Sequence, residues 1–358
     1  MKPVLVPLDE ALITGDAERL ALSADLPHGE PWGWALARAL LSAEALAPKL
    51  VAEPAGLIAL VEAELERLRE HWRRLKEERP VADLGRRPAH EAEWAALRVL
   101  EGGSAHDLAA LYREHGWAPF ACHRAALWRE GFDPVPHPAS ANLDEIVGYE
   151  SQRARLVALA KRFLAGKPLP PTLLAGARGS GKSTLVRGLV TAFGDEGLRI
   201  VEPDLAAMAE PKELFEALRE RKKRFLLFLD DLAFDTGDER VRRWKRVLEG
   251  SLVARPENVW VVATSNRRNL VRERWEDREE PNAWETAEEI GALADRFGVV
   301  ILFPPMDQAA YLRAVAHHLG RPLTPKEREA ALRFANQGRG FSGRTAKTFA
   351  ELFTLGLA

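Results

Sequence analysis

The sequence predicts an α/β protein in three parts: an all-α N-terminal domain, an αβα core on a five-stranded parallel sheet, and a C-terminal helical lid. Three observations predict it. Apolar residues at helical spacing fill residues 1–130, and a proline-rich stretch, Gly131–Asn142, interrupts them. Beyond that stretch short β-rich apolar runs alternate with helical patterns, until only helical patterns remain after Met306.

In the first part, Leu57–Leu75 repeats apolar residues at three and four with Glu and Arg on the other face, which predicts an amphipathic helix. Trp32–Leu46, Glu91–Leu100, Asp107–Glu114 and Phe120–Glu130 carry similar patterns, and six of the ten Trp lie here at core-like spacing. Asp107–Trp128 has the outline of a helical hairpin, which a DNA-binding helix-turn-helix shares. The three prolines of Gly131–Asn142 read as a linker. Five strands follow, over Thr172–Ala175, Arg199–Val201, Phe225–Leu229, Val259–Ala263 and Val300–Phe303. Helices between consecutive strands make the sheet parallel and covered on both faces. Helices over Gln308–Leu319, Pro325–Asn336 and Arg344–Leu355 form the lid. The predicted division is 1–130, helical domain; 131–142, linker; 143–305, core; 306–358, lid.

Composition excludes several classes. With 51 Lys+Arg against 53 Asp+Glu the formal charge of the 358 residues is -2, so there is no general basic coat for nucleic acid. The halves differ modestly, -5 over residues 1–130 and +3 over the rest, leaving any nucleic-acid contact to a local patch. A single cysteine, Cys122, excludes an internal disulfide framework and a cysteine metal cluster, and reads as a small buried thiol. The apolar run in MKPVLVPLDE is too short for a signal peptide, and Arg38 and Glu44 break the apolar Trp32–Leu46 stretch. The expectation is a cytoplasmic protein with no membrane partner.

The chemistry is carried first by Gly176-Ala177-Arg178-Gly179-Ser180-Gly181-Lys182-Ser183, a full match to G-x-x-x-x-G-K-[ST], with Thr184 continuing into a helix. Such a P-loop turns backbone N–H groups around phosphate oxygens at a helix N-terminus. Lys182 is placed to reach β- and γ-phosphates, and the Ser183 hydroxyl to ligate Mg²⁺. Phe225–Leu229 then ends in Asp230-Asp231: Asp230 is a candidate Mg²⁺ ligand, and Asp231 a candidate to orient or deprotonate a water. Val259–Ala263 ends in Thr264-Ser265-Asn266, where Asn266 either bridges water and γ-phosphate or caps a loop.

Together with LDEIVGYE (143–150), ARPENVWVVATSNRRNL, ADRFG and FSGRTAKTF, these segments resemble an AAA+ ATPase over residues 143–358. The group most resembled is an uncharacterised bacterial one carried as domain of unknown function 815. The resemblance implies that Ile146, Val147, Gly148 and Tyr149 line an adenine pocket and that Asn266 is the sensor-1 residue. It further implies that Arg344 is the sensor-2 arginine, opening a lid helix, and that Arg296 is an arginine finger acting in trans. It implies ATP and Mg²⁺ as cofactors, a homo-oligomer, and ATP hydrolysis that drives change in a protein or nucleoprotein client. The plain alternative for Arg296 is an ion pair with nearby carboxylates, and for Arg344 a surface arginine. A cation at a helix start is poorly placed unless an anion joins it.

One departure stands out, since most AAA+ motors carry Asp-Glu where this chain has Asp230-Asp231. The shorter acid reaches a water less well and makes slow hydrolysis, or a nucleotide-gated scaffold, competing readings. The basic runs Arg219–Arg224, Arg240–Arg246 and Arg267–Arg274 read as solvated faces. Their alternative is a phosphate-tracking groove with Trp244 for base stacking, as a DNA-associated loader or initiator-like switch would need.

Overall fold

The structure is a computed structural model describing residues 37, 40–41, 46–52, 54–78, 91–204, 211–232, 255–266 and 297–357. Contacts divide the chain into two units, residues up to His123 with Glu220–Lys222, and Arg124–Arg219 with Lys223–Ala358.

The first unit is helical: α1 (Ala47–Val51), α2 (Ala55–Glu78), α3 (Glu91–Gly102) and α4 (Ala105–His115). On α2, Val61, Leu65 and Leu68 fall at four- and three-residue steps, so one stripe is buried against Ala96, Leu108 and Tyr112. The buried Arg69 guanidinium donates to the carbonyls of Val99, Leu100 and Gly103, satisfying the acceptors that the C-terminus of α3 leaves open. Ser104 and Asp107 form a reciprocal capping box that starts α4. The Trp32–Leu46 helix expected from sequence lies mostly outside the described residues.

The second unit holds a seven-stranded sheet in the order β2-β1-β4-β5-β6-β3-β7. Its five central and far strands are those the sequence predicts: β3 (Thr172–Gly176), β4 (Leu198–Pro203), β5 (Arg224–Leu229), β6 (Val259–Ser265) and β7 (Val299–Phe303), all paired in parallel. β3, β5 and β6 are buried almost throughout, as both-face coverage requires. At their centre Trp260 is fully buried and its indole N–H donates to Thr172 Oγ1 at 3.0 Å.

Two strands correct the expected all-helical stretch. Residues 125–128, read as part of a helix over Phe120–Glu130, form β1 (Ala125–Trp128), which pairs in parallel with β4. Phe132–Pro134, inside the stretch read as a linker, forms β2, antiparallel to β1 at the sheet edge. Ala-Ala-Leu-Trp has no alternation of its own, so its strand state comes from pairing with the apolar β4 rather than from local preference. Pro134 ends β2 on the outer edge, where its missing N–H costs no ladder bond.

Helices α5 (Glu150–Leu164), α6 (Lys182–Phe193) and α7 (Pro211–Arg219) connect strands. The lid follows as α8 (Gln308–Leu319), α9 (Pro325–Asn336) and α10 (Gly343–Thr354). Each lid helix starts where its sequence says: Asp307 caps α8, Thr324 and Glu327 box α9 with Pro325 at its first turn, and Ser342 caps α10. Core and lid share one hydrophobic cluster, in which Tyr311, Ala346 and Phe349 pack with Ile146, Leu185 and Phe303. Among the described residues no helix is long and apolar enough to cross a membrane.

Candidate nucleotide-binding site

The phosphate loop links β3 to α6. Its opening residue, Gly176, has φ 139, and a Cβ there would lie 2.0 Å from the Phe303 carbonyl oxygen of β7, so only glycine fits. Gly179, at φ 73, faces the lid, and a Cβ there would lie 2.8 Å from Ser342 Oγ. The lid touches the loop directly, because the Arg344 backbone N–H donates to the Gly179 carbonyl at 3.3 Å. Helix α6 is held down by Leu185, Val186 and Leu189, which aims its free N–H groups into the loop.

Lys182 is buried, 5% exposed, and its Nζ donates to the carbonyls of Gly176 at 3.0 Å and Ala177 at 2.9 Å, and to Asn266 Oδ1 at 3.0 Å. Burial pulls its pKa down to about 8 from 10.5, against the opposing pull of the Asp231 and Asp230 charges. At neutral pH the side chain remains a cation.

Asp230 stands at the end of β5. Its Oδ1 accepts from Ser183 Oγ at 2.6 Å and Thr264 Oγ1 at 2.7 Å, and its Oδ2 accepts from Arg187 at 3.1 Å. Asp231 follows with φ 52, a left-handed backbone that Asp and Asn tolerate better than longer side chains. Its N–H donates to Thr264 Oγ1 at 2.8 Å, and its carboxylate accepts from Asn266 Nδ2 at 2.5 Å. Among the described residues Asn266 thus stands between the lysine and the second acid.

These groups line a cleft of about 410 Å³. The phosphate end carries Gly179, Ser180, Gly181, Lys182, Ser183, Thr184, Asp230, Asp231 and Asn266; Gly343, Arg344 and Lys347 border it from the lid. The other wall includes the apolar Ile146, Val147, Met306 and Ala314. Arg344 and Lys347 bring two cations of the lid to the edge of the cleft. Ser183 and Asp230 offer two hard oxygen donors side by side, a donor set that fits Mg²⁺.

The structure gathers most of the residues singled out in the sequence, but not all. Gly148 and Tyr149 lie outside the cleft wall. The Gly148 N–H donates to Glu150, and Tyr149 is buried with its hydroxyl on the Pro304 carbonyl at 2.8 Å. Gly176 and Ala177 shape the loop through their carbonyls on Lys182, and Arg178 is exposed. Arg296, Trp244 and the runs 240–246 and 267–274 lie outside the described residues. In the remaining run, Arg221 is buried over the rings of Trp117 and Phe120, and Arg224 sits over Phe163, so these two arginines are structural cations rather than a phosphate track.

Sequence reasoning missed Glu145, Arg187, Met306, Ala314, His318 and Lys347 as cleft residues. Helical spacing was the available signal: Arg187 is four residues beyond Ser183, Lys347 three beyond Arg344, and His318 four beyond Ala314. Burial lowers the His318 pKa, with His317 and Lys347 adding to the effect and Glu145 and Glu351 opposing it, so this side chain enters neutral pH as an uncharged imidazole.

No curated protein matches the chain. Among solved structures it is similar to the Holliday junction branch migration motor RuvB of Thermotoga maritima, at 14% identity over 59% of this chain and 71% of that one, with a TM-score of 0.33. It is similar to the Orc1 protein of Aeropyrum pernix in complex with DNA, at 16% identity over 56% and 58% of the two chains, TM-score 0.40. PCH-2 of C. elegans is similar at 16% identity over 57% and 62%, TM-score 0.37. The family described as "Protein of unknown function (DUF815)" matches residues 121–355, from the turn before β1 to the end of α10. The chain therefore belongs to the DUF815 family, as the resemblance carried by its phosphate loop, paired acids and lid arginine led one to expect.

Proposed function

We propose that this protein binds ATP with Mg²⁺ and hydrolyses it, using the nucleotide state of the cleft to drive change in a protein or nucleoprotein partner. The observation that carries the reading is a convergence. Lys182 and Ser183 of the loop are bonded to Asn266 and Asp230 from the ends of β6 and β5, each within 3.0 Å.

In this reading the loop N–H groups and Lys182 bind the β- and γ-phosphates, while Ile146 and Val147 hold the base. Ser183 and Asp230 hold Mg²⁺. When bound, the ion neutralises charge on the transferring phosphoryl oxygens. Asp231 accepts the proton of the attacking water or orients it, and Asn266 fixes Asp231 and the γ-phosphate relative to each other. Arg344 brings a permanent planar cation from the lid to the phosphates. Arg296 acts on a neighbour's site, which makes the working form a homo-oligomer. A cytoplasmic location belongs to the same reading.

The test is ATP turnover per chain against protein concentration, with Mg²⁺ and no added partner. A rate that climbs with concentration supports sites completed between subunits, and mixing Arg296→Ala with Asp231→Asn then restores activity at mixed interfaces. Lys182→Ala abolishes ATP binding; retained micromolar affinity removes the site assignment. A second reading, a nucleotide-gated scaffold with negligible turnover, is favoured by the short Asp231 side chain being engaged by Asn266 at 2.5 Å. Tight binding with a flat, near-zero rate selects it. Stimulation by single-stranded DNA selects the loader-like switch instead.

A further inference from the structure

Arg187 belongs to none of the motifs, yet it stands inside the cleft. It lies one turn beyond Ser183 on α6, so the helix that presents the serine hydroxyl necessarily presents residue 187 on the same side. Two contacts fix its position. The guanidinium lies 5.7 Å from the Phe228 ring centroid and donates to Asp230 Oδ2 at 3.1 Å. It also feels the charge of Glu202 on β4, where burial favours the neutral acid and Arg187 favours the carboxylate.

The two oxygens of Asp230 are thereby given different tasks. Oδ1 accepts from Ser183 and Thr264, whereas among the described residues Arg187 is the sole donor to Oδ2. The terminal torsion of an aspartate is broad and roughly two-fold, so a carboxylate held at one oxygen alone is poorly oriented. We propose that Arg187 is a positioning residue that acts through Asp230: by holding Oδ2 it turns Oδ1 toward Ser183 and so couples Mg²⁺ to nucleotide binding. This rests on the ATP-Mg²⁺ reading of the site.

An opposing effect exists, because a guanidinium near the metal position repels the ion. Two facts decide between them. Arg187 bonds the oxygen that Ser183 does not use, and its side chain is 37% exposed, so its long-range charge is screened by water while its grip on Asp230 is direct.

The test measures fluorescent mant-ATP binding at equilibrium, in excess EDTA and across a series of free MgCl₂ concentrations. The variants are Arg187→Met, which keeps a chain of similar length over Phe228, and Arg187→Lys, which offers one N–H to the same oxygen. Thermal unfolding confirms that each is folded. In Arg187→Met the EDTA affinity stays within about twofold of wild type, while the Mg²⁺ concentration for half-maximal tightening rises about tenfold, a 1.4 kcal/mol loss of coupling. Arg187→Lys recovers most of that shift. An unmoved or lowered Mg²⁺ midpoint in the methionine variant overturns the proposal, as does an EDTA affinity that falls in step with it. A wild-type protein whose mant-ATP affinity does not respond to Mg²⁺ instead overturns the reading of the site itself, and the proposal with it.

Discussion

The left-handed backbone of Asp231 bears on why this chain carries two aspartates in succession. At φ 52 any residue with a Cβ meets the clash that makes left-handed conformations cost L-residues about 1–2 kcal/mol. Short polar side chains escape part of that cost by local hydrogen bonding, and the Asp231 carboxylate is held by Asn266 at 2.5 Å. In Asp231→Glu the carboxylate moves one methylene outward and leaves that bond, worth about 1 kcal/mol, and up to about 1 kcal/mol of backbone strain is no longer offset. The expected destabilisation is therefore about 1–2 kcal/mol. In Asp231→Asn the residue still tolerates the left-handed region and keeps an acceptor oxygen, so the change stays within about 0.5 kcal/mol. The assay is urea denaturation of the nucleotide-free chain, read as the midpoint at unchanged slope. The asparagine variant also retains ATP binding and loses turnover. A glutamate variant as stable as the asparagine one would refute the argument, since neither the backbone nor Asn266 would then select the shorter acid.

Three further outcomes follow from the same geometry. Gly179→Ala places a methyl 2.8 Å from Ser342 Oγ at φ 73, which costs about 2 kcal/mol of strain and displaced cap; adding Ser342→Gly relieves the contact, so denaturation of the double variant falls short of additivity. Tyr311→Phe removes a buried hydroxyl that donates to the Ala331 carbonyl at 3.0 Å, and lowers stability by about 1 kcal/mol in the same assay. ATP affinity in EDTA falls as pH rises through about 8, where nucleotide-free Lys182 loses its proton. Bound phosphates favour the ammonium, so binding above that pH takes up a proton, and calorimetry in two buffers of different ionisation heat reads it.

Much of this was legible in the sequence because the signals are local. The phosphate loop needs its glycines at fixed offsets, and strands β3 to β7 are short, apolar and bounded by turn residues or caps. What was not legible depends on distant partners. Ala125–Trp128 becomes a strand because β4 offers an edge, and Phe132–Pro134 because β1 then offers another. Tyr149 reads as a pocket residue from its neighbours in sequence, yet Pro304 and Phe303, more than 150 positions away, draw it out of the wall. Arg221 reads as one charge in a basic run, and only the Trp117 and Phe120 rings show why it is buried. Arg187 carries no motif at all, since its significance lies in which oxygen of Asp230 it reaches.

The bond from the Arg344 backbone to the Gly179 carbonyl has a mechanical consequence. It makes the start of α10 a fulcrum seated on the phosphate loop. The helix has 12 residues, an arm of about 18 Å at 1.5 Å per residue. A tilt of about 10° at that fulcrum sweeps Thr354 through about 3 Å, a displacement larger than a hydrogen bond can stretch. Movements of a few tenths of an ångström around a phosphate would thus be magnified into a stroke that a neighbouring surface can feel, with the rigid α10 as the transmission.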